Sequence, residues 1–190
     1  EVLSLDAAGR PLTAAPVKGA NAASSAVLVP GRTGHVAVAL PAGLVYFYGG
    51  SDGTAPLADP APMVFSPLVS DPGGFVPVAR PRNPARAGPR VQAQAALLPD
   101  SSVLLLGGSG QRAGDDVATL FTPLAGQDPT STPAFQGTYS QLSAGSPRVA
   151  GAMAVLPDRA VLVVGGTSDG GVRSGELFVP CADAVKPCPR

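Results

Sequence analysis

The chain has 190 residues, enough for one domain or for part of a larger one. Thirteen Lys+Arg balance thirteen Asp+Glu, and a net charge of zero excludes the basic footprint of a nucleic-acid or anionic-membrane binder. Glycine (24) and proline (22) together stay just under the low-complexity level, while 45% hydrophobic and 14% charged residues supply a buried core and exclude disorder. No apolar run approaches the roughly 18 residues of a membrane-spanning helix. The sequence opens on Glu1-Val2-Leu3, with no charged and apolar leader behind it, so a processed, excised or partial chain is expected. Lys18 and Lys186 are the only lysines; with the Ala, Pro, Gly and Val bias this points to a GC-rich bacterial genome.

In chain order, Glu1–Asp6 reads as a strand similar to Glu176–Pro180, and residues 7–31 as a further strand with a linker. At Arg32 a repeat begins. RTGHVAVALP (32–41), RVQAQAALLP (90–99) and RVAGAMAVLP (148–157) align without gaps at a 58-residue period. The same period relates Val45, Val103 and Val161, and the doublets Gly49-Gly50, Gly107-Gly108 and Gly165-Gly166.

Each repeat reads as short strands. The run after the arginine ends in a proline-centred turn (Pro-Ala-Gly, Pro-Asp-Ser, Pro-Asp-Arg). The next strand is apolar without alternation at 44–48, 103–106 and 161–164, which predicts burial on both faces. The glycine doublet stops it, where a positive φ or a close backbone approach excludes a Cβ. Third strands follow at 63–67, 120–123 and 177–180, and fourth strands at 75–79 and 135–142. No stretch has helical periodicity. Four strands in 50–58 residues, repeated, is the pattern of a β-propeller blade.

The succession of arginine, apolar strand, Leu-Pro-Asp, apolar strand, Gly-Gly, loop and Leu-Phe-x-Pro resembles the Kelch repeat. It is nearest to the bacterial type that is also found in the propeller of galactose-oxidase-like proteins. Residues 98–108 (LPDSSVLLLGG) and 156–166 (LPDRAVLVVGG) carry the resemblance best, which extends over 32 to about 180. Two features depart from the family: phenylalanine (Phe65, Phe121, Phe178) replaces its third-strand tyrosine, and its fourth-strand tryptophan is missing. The resemblance implies an all-β fold of four-stranded Kelch-like blades, an incomplete propeller ring of about three and a half blades. Residues 1–31 would end a preceding blade, followed by blades at 32–89, 90–147 and 148–190, the last incomplete. Propellers close with typically four to eight blades, so the expectation is a fragment of a longer chain, or a ring completed by a partner or a second copy.

Candidate sites are few. His35 is the only histidine, in a column shared with Ala93 and Gly151, and a lone histidine cannot build a zinc or copper centre, so a structural or surface role is expected. The copper site of galactose-oxidase-like enzymes needs two histidines, so no metal, cofactor or catalytic residue is assigned here. Cys181 and Cys188 do not have redox or zinc spacing. A local disulfide, worth ~2.5 kcal/mol in the chain-entropy model, is preferred over two buried thiols and implies an oxidising compartment.

Arg32, Arg90 and Arg148 have two readings. By resemblance to Kelch adaptor domains they line the mouth of a central pocket and bind carboxylates bidentately, making them the candidate ligand-binding residues. The alternative, which is preferred, is a repeated ion pair or loop cap. The acids Asp100 and Asp158 belong to turns, Asp115, Asp116 and Asp169 lack metal-loop spacing, and Gly107–Gly110 lacks the lysine of a phosphate loop. Three functions follow as expectations. The first is a non-catalytic secreted, periplasmic or surface propeller that binds protein or glycan or serves as a structural module. The second is the propeller of a copper oxidase with its ligands elsewhere. The third is an intracellular adaptor for acidic peptides.

Overall fold

The computed structural model describes residues 2–5, 7–9, 11–15, 28, 30–57, 62–69, 73–79, 88–110, 118–129, 134–142, 148–167 and 175–179. The fold is all-β. A two-stranded antiparallel sheet joins β1 (Val2–Leu5) and β2 (Pro11–Ala15). Repeat 1 forms a four-stranded antiparallel meander, β3 (Val36–Ala39), β4 (Val45–Tyr48), β5 (Met63–Ser66) and β6 (Gly74–Pro77). Repeat 2 repeats it with β7 (Gln94–Leu97), β8 (Val103–Leu106), β9 (Ala118–Pro123) and β10 (Gly137–Leu142). Repeat 3 supplies three strands among the described residues, β11 (Ala152–Val155), β12 (Val161–Val164) and β13 (Glu176–Phe178). No described sheet closes on itself.

Register follows the period. Val45 pairs with Phe65 and Val103 with Phe121, positions equivalent in their repeats. The first hairpin of each repeat turns on the proline: Leu40, Leu98 and Leu156 donate their N–H to the carbonyls of Leu44, Ser102 and Ala160 at 2.8, 2.8 and 2.7 Å. The third turn residue takes a left-handed conformation in every copy, Gly43 at φ +74°, Ser101 at +68° and Arg159 at +71°. Asp100 and Asp158 accept the N–H of Ser102 and Ala160 at 3.0 and 3.1 Å, which explains the recurrent Pro-Asp.

Successive sheets stack face to face, with β7 beside both β3 and β11. One core lies between the first and second sheets, from Val36, Val38, Tyr46, Tyr48 and Val64 on one side to Val103, Leu105 and Phe121 on the other. A second core joins Leu104, Leu106 and Ala118 to Val161 and Val163. The middle sheet therefore has a neighbour on each face, and β8 is buried at all four positions. The expectation of two-sided burial fails for β4 and β12, which alternate or end exposed. Their sheets are the first and last of the three repeat sheets, and each packs on the middle one.

The glycine doublet sets how close the sheets come. Gly49 and Gly107 adopt φ of +70° and +63°, and a Cβ on them would stand 2.3 and 2.0 Å from the carbonyl oxygens of Arg90 and Arg148. The next residues, Gly50 and Gly108, donate their N–H to those same carbonyls at 2.8 Å. A second rung runs beside it, from Gln92 N–H to the Gly34 carbonyl and from Ala150 N–H to the Gln92 carbonyl at 2.7 and 3.0 Å. Farther out, Ala79 N–H donates to Phe135 and Phe135 N–H to Pro77, both at 2.7 Å, as a parallel bridge between the first two sheets.

Gly107→Ala is expected to lower the unfolding free energy by about 2–4 kcal/mol, combining left-handed strain with displacement of the Arg148 backbone. Gly165→Ala is expected to lose only about 1 kcal/mol, since its Cβ would meet nothing within 4 Å. Urea titrations at low protein concentration check the difference; equal losses would contradict the close approach.

Candidate functional site

The three arginines hold one geometry. Each lies seventeen residues before the first glycine of its own doublet, and its Nη1 donates to that glycine's carbonyl: Arg32 to Gly49 at 3.2 Å, Arg90 to Gly107 at 2.8 Å and Arg148 to Gly165 at 3.2 Å. The side chain thus braces the end of the second strand in its own sheet, while at Arg90 and Arg148 the main-chain carbonyl engages the doublet of the sheet before. Both of these arginines are only 1% exposed.

The other guanidinium nitrogen is matched by the third strand. Arg90 Nη2 donates to Thr119 Oγ1 at 2.9 Å, and Arg148 Nη2 forms an ion pair with Glu176 Oε1 at 2.7 Å. Thr119 pairs with Leu105 and Glu176 with Val163, equivalent positions of the repeat. In the first sheet that position is Met63, which pairs with Phe47. Arg32 Nε instead donates to the Pro30 carbonyl at 3.1 Å, and its side chain is half-buried. Of the two readings of the column, the geometry gives Arg90 and Arg148 structural partners, and at Arg148 that partner is the ion pair. The partners Thr119 and Glu176 were not singled out from sequence. The available signal was a polar residue directly before the Leu-Phe pair of the third strand, Thr119 and Glu176.

Aromatic side chains fill the gap between the first two sheets. Phe121 stacks on Tyr46 at 4.7 Å between ring centroids and lies 4.9 Å from Tyr139. The Tyr46 and Tyr139 hydroxyls share a hydrogen bond of 3.1 Å, and Tyr48 donates its hydroxyl to the Gly88 carbonyl at 3.1 Å. Burial, and then the neighbouring Tyr139, push the Tyr46 phenol well above its ordinary range, so it stays neutral. The fourth-strand glycines make room for the phenylalanine column: a Cβ on Gly73 or Gly137 would stand 2.3 Å from the ring of Phe65 or Phe121. The glycine two residues before Phe75 and Tyr139 was the overlooked sequence mark of this strand.

His35 is half-buried at the edge of the first sheet, its ring 5.7 Å from Phe47. Burial, aided by the Arg32 charge, holds its imidazole below 6.5. Among the described residues no three His, Cys, Asp or Glu side chains come together as a metal site. The described residues, with His35 as their single imidazole, do not fit a copper centre. Cys181 and Cys188, with Asp115, Asp116 and Asp169, lie outside the described residues. After the first doublet, Asp52 organises the loop: its Oδ1 accepts the Thr54 and Ala55 N–H groups at 2.9 Å and the Thr54 hydroxyl at 2.7 Å. Those bonds lower its carboxyl from 3.8 to about 2. No described helix is long and apolar enough to cross a membrane.

No protein-family model and no curated protein matches this chain. Among solved structures, a fungal alcohol oxidase of the AA5 family, described as having catalytic diversity and as being in complex with copper, is similar with a TM-score of 0.51 at 20% identity. The match covers 83% of this chain and 34% of that one, so the chain spans about a third of the oxidase's length. The likeness shows a related all-β fold.

Arg90→Ala and Arg148→Ala are expected to destabilise by about 2–5 kcal/mol, through a cavity and abandoned glycine carbonyls, and Arg32→Ala by less than about 1 kcal/mol. Thermal and urea unfolding check the order; equal, small effects would contradict the bracing role. The Asp52 turn is expected to persist above the unfolded carboxyl value near 3.8 and to be lost as the pH falls toward 2. A carboxyl-carbon NMR titration with its midpoint near 3.8 would contradict it.

Proposed function

We propose that the three stacked sheets are successive blades of a Kelch-type β-propeller and that this segment works without catalysis, as a protein- or glycan-binding or structural module. The observation that carries the reading is the fate of the arginine column. The side chains best suited to charged chemistry at the inner strands are turned to glycine carbonyls, Thr119 and Glu176, so the column supports the stacking of blades. Recognition falls to the loops between strands, where a rigid sheet stack positions variable sequence. Among the described residues two such loops have a defined internal hydrogen-bond set: the turn fixed by Asp52, and the loop between β9 and β10, where Gln127 donates to the Leu124 and Gln136 carbonyls. Arg32, half-buried at the head of the first blade, is the member of the column that we assign to meeting a carboxylate ligand. The predominance of Arg over Lys supports a bacterial source, and a Cys181–Cys188 disulfide, proposed with it, a secreted, periplasmic or surface location.

A second reading is favoured by one specific finding, the likeness to a copper-bound AA5 alcohol oxidase. In that reading these blades are the scaffold of an oxidase whose ligands belong to other residues, since the single histidine here packs on Phe47. Fold likeness by itself does not transfer an activity.

Glycan- and protein-array binding, run beside copper analysis and an assay of hydrogen peroxide released from primary alcohols, separates the two on the longest polypeptide that carries these residues. Selective binding that is lost on replacing loop 51–57, with no copper-dependent peroxide, is the expected result. Copper-dependent peroxide release would overturn the non-catalytic reading.

A further inference from the structure

The loop after the first glycine doublet carries a dipeptide with covalent chemistry of its own. Asp52-Gly53 is one of two Asp-Gly pairs in the sequence; the other, Asp169-Gly170, lies outside the described residues. In such a pair the glycine amide nitrogen can attack the aspartate Cγ, because the glycine has no side chain to obstruct the approach. An N–Cγ bond forms, the amide proton and the hydroxyl of the neutral carboxyl leave as water, and a succinimide ring results. Water then reopens the ring. Breaking the N–Cγ bond restores aspartate, whereas breaking the bond from nitrogen to the main-chain carbonyl carbon of the aspartate leaves isoaspartate, with the chain running through Cβ and Cγ.

Asp52, Gly53 and Thr54 are exposed, so burial does not protect the pair. Both reacting groups are nevertheless held. Asp52 Oδ1 accepts the Thr54 and Ala55 N–H groups at 2.9 Å and the Thr54 hydroxyl at 2.7 Å. These bonds favour the carboxylate, which has no hydroxyl to expel. They lower the carboxyl from 3.8 to about 2, which makes its neutral form more than about tenfold scarcer at neutral pH. The nucleophile is engaged as well: Gly53 donates its N–H to Ser51 Oγ at 3.1 Å, and the Ser51 hydroxyl donates to the Ala55 carbonyl at 2.8 Å. The far end of the loop is anchored. Leu57 is buried and donates its N–H to the Gly50 carbonyl at 3.0 Å. Pro56 rests on the second repeat, where a Cβ on Gly110 would stand 2.6 Å from its Cγ.

We propose that Asp52-Gly53 is a latent isoaspartate site, closed in the folded chain by the bonds from Ser51, Thr54 and Ala55 and opened when the loop leaves the Gly110 surface. Folding keeps the electrophile ionised and the nucleophilic nitrogen hydrogen-bonded, so the reaction waits on local opening of the loop. Conversion then works against reclosure. It lengthens the main chain by one carbon, moves the carboxylate onto Cα and away from the Thr54 and Ala55 amides, and carries Pro56 off Gly110. The inference goes beyond the binding-module reading and does not depend on what the loop binds.

Ageing of the full chain at neutral pH, folded and in guanidinium chloride, tests it, with Ser51→Ala and Thr54→Val as variants. Isoaspartate is read by peptide mass spectrometry that separates residue 52 from residue 169. Both variants change a loop side chain outside the sheet cores, so they are expected to fold, as circular dichroism will show. The folded wild type is expected to convert at residue 52 about tenfold or more slowly than the unfolded chain, and each folded variant several-fold faster than the folded wild type. Equal rates in the folded and unfolded wild type, or variants that convert no faster than the wild type, would overturn the proposal. Neither result would alter the array and peroxide assays that decide the binding-module reading.

Discussion

Successive sheets meet where a backbone carbonyl faces a glycine. Arg148 O lies 2.0 Å from where a Cβ of Gly107 would be, and Arg90 O lies 2.3 Å from that of Gly49. No side chain larger than hydrogen fits there without moving the next sheet. That approach is also polar: the following glycine's N–H meets the same oxygen at 2.8 Å, so one carbonyl both excludes a side chain and receives a hydrogen bond. The apolar cores on either side of β8 depend on the spacing this sets, because side chains such as Leu105 and Val163 fill a gap of fixed width.

The arginine side chain acts on the other side of the same contact. It ties the carbonyl of the first doublet glycine to its own repeat, so the doublet is held by a side chain from its own sheet and by a main-chain carbonyl from the next. Burying a guanidinium is costly unless its donors are matched. Thr119 and Glu176 supply that match at one register position, and Met63 occupies the position in the first sheet, where Arg32 turns to Pro30 and remains half-buried. One sequence column thus holds two environments, decided by a residue roughly thirty positions downstream.

Much of this was legible in the sequence. The 58-residue period fixed the equivalence of Val45, Val103 and Val161, and the described strands fall where the apolar runs and proline turns place them. The doublet's need for glycine was readable as well, because a recurrent Gly-Gly at the end of an apolar strand has few other causes. What filled that space was not, since the Arg90 carbonyl approaches from another repeat and main-chain atoms leave no compositional trace. Two-sided burial was overextended from β8 to β4 and β12 for a related reason: an apolar run records the preference of a residue, and not whether a neighbouring sheet is present. The partners of the arginines were hidden because Thr119 and Glu176 differ chemically, so no repeated letter marks the position.

The central claim is that the arginine carbonyl and the glycine doublet lock successive sheets together. Native-state hydrogen exchange read at the Gly50 and Gly108 amides tests it most directly. The account predicts that both exchange as slowly as the amides of β4 and β8, and that they open together with them. Exchange at Gly50 and Gly108 as fast as in an exposed turn, with β4 and β8 still protected, would contradict it.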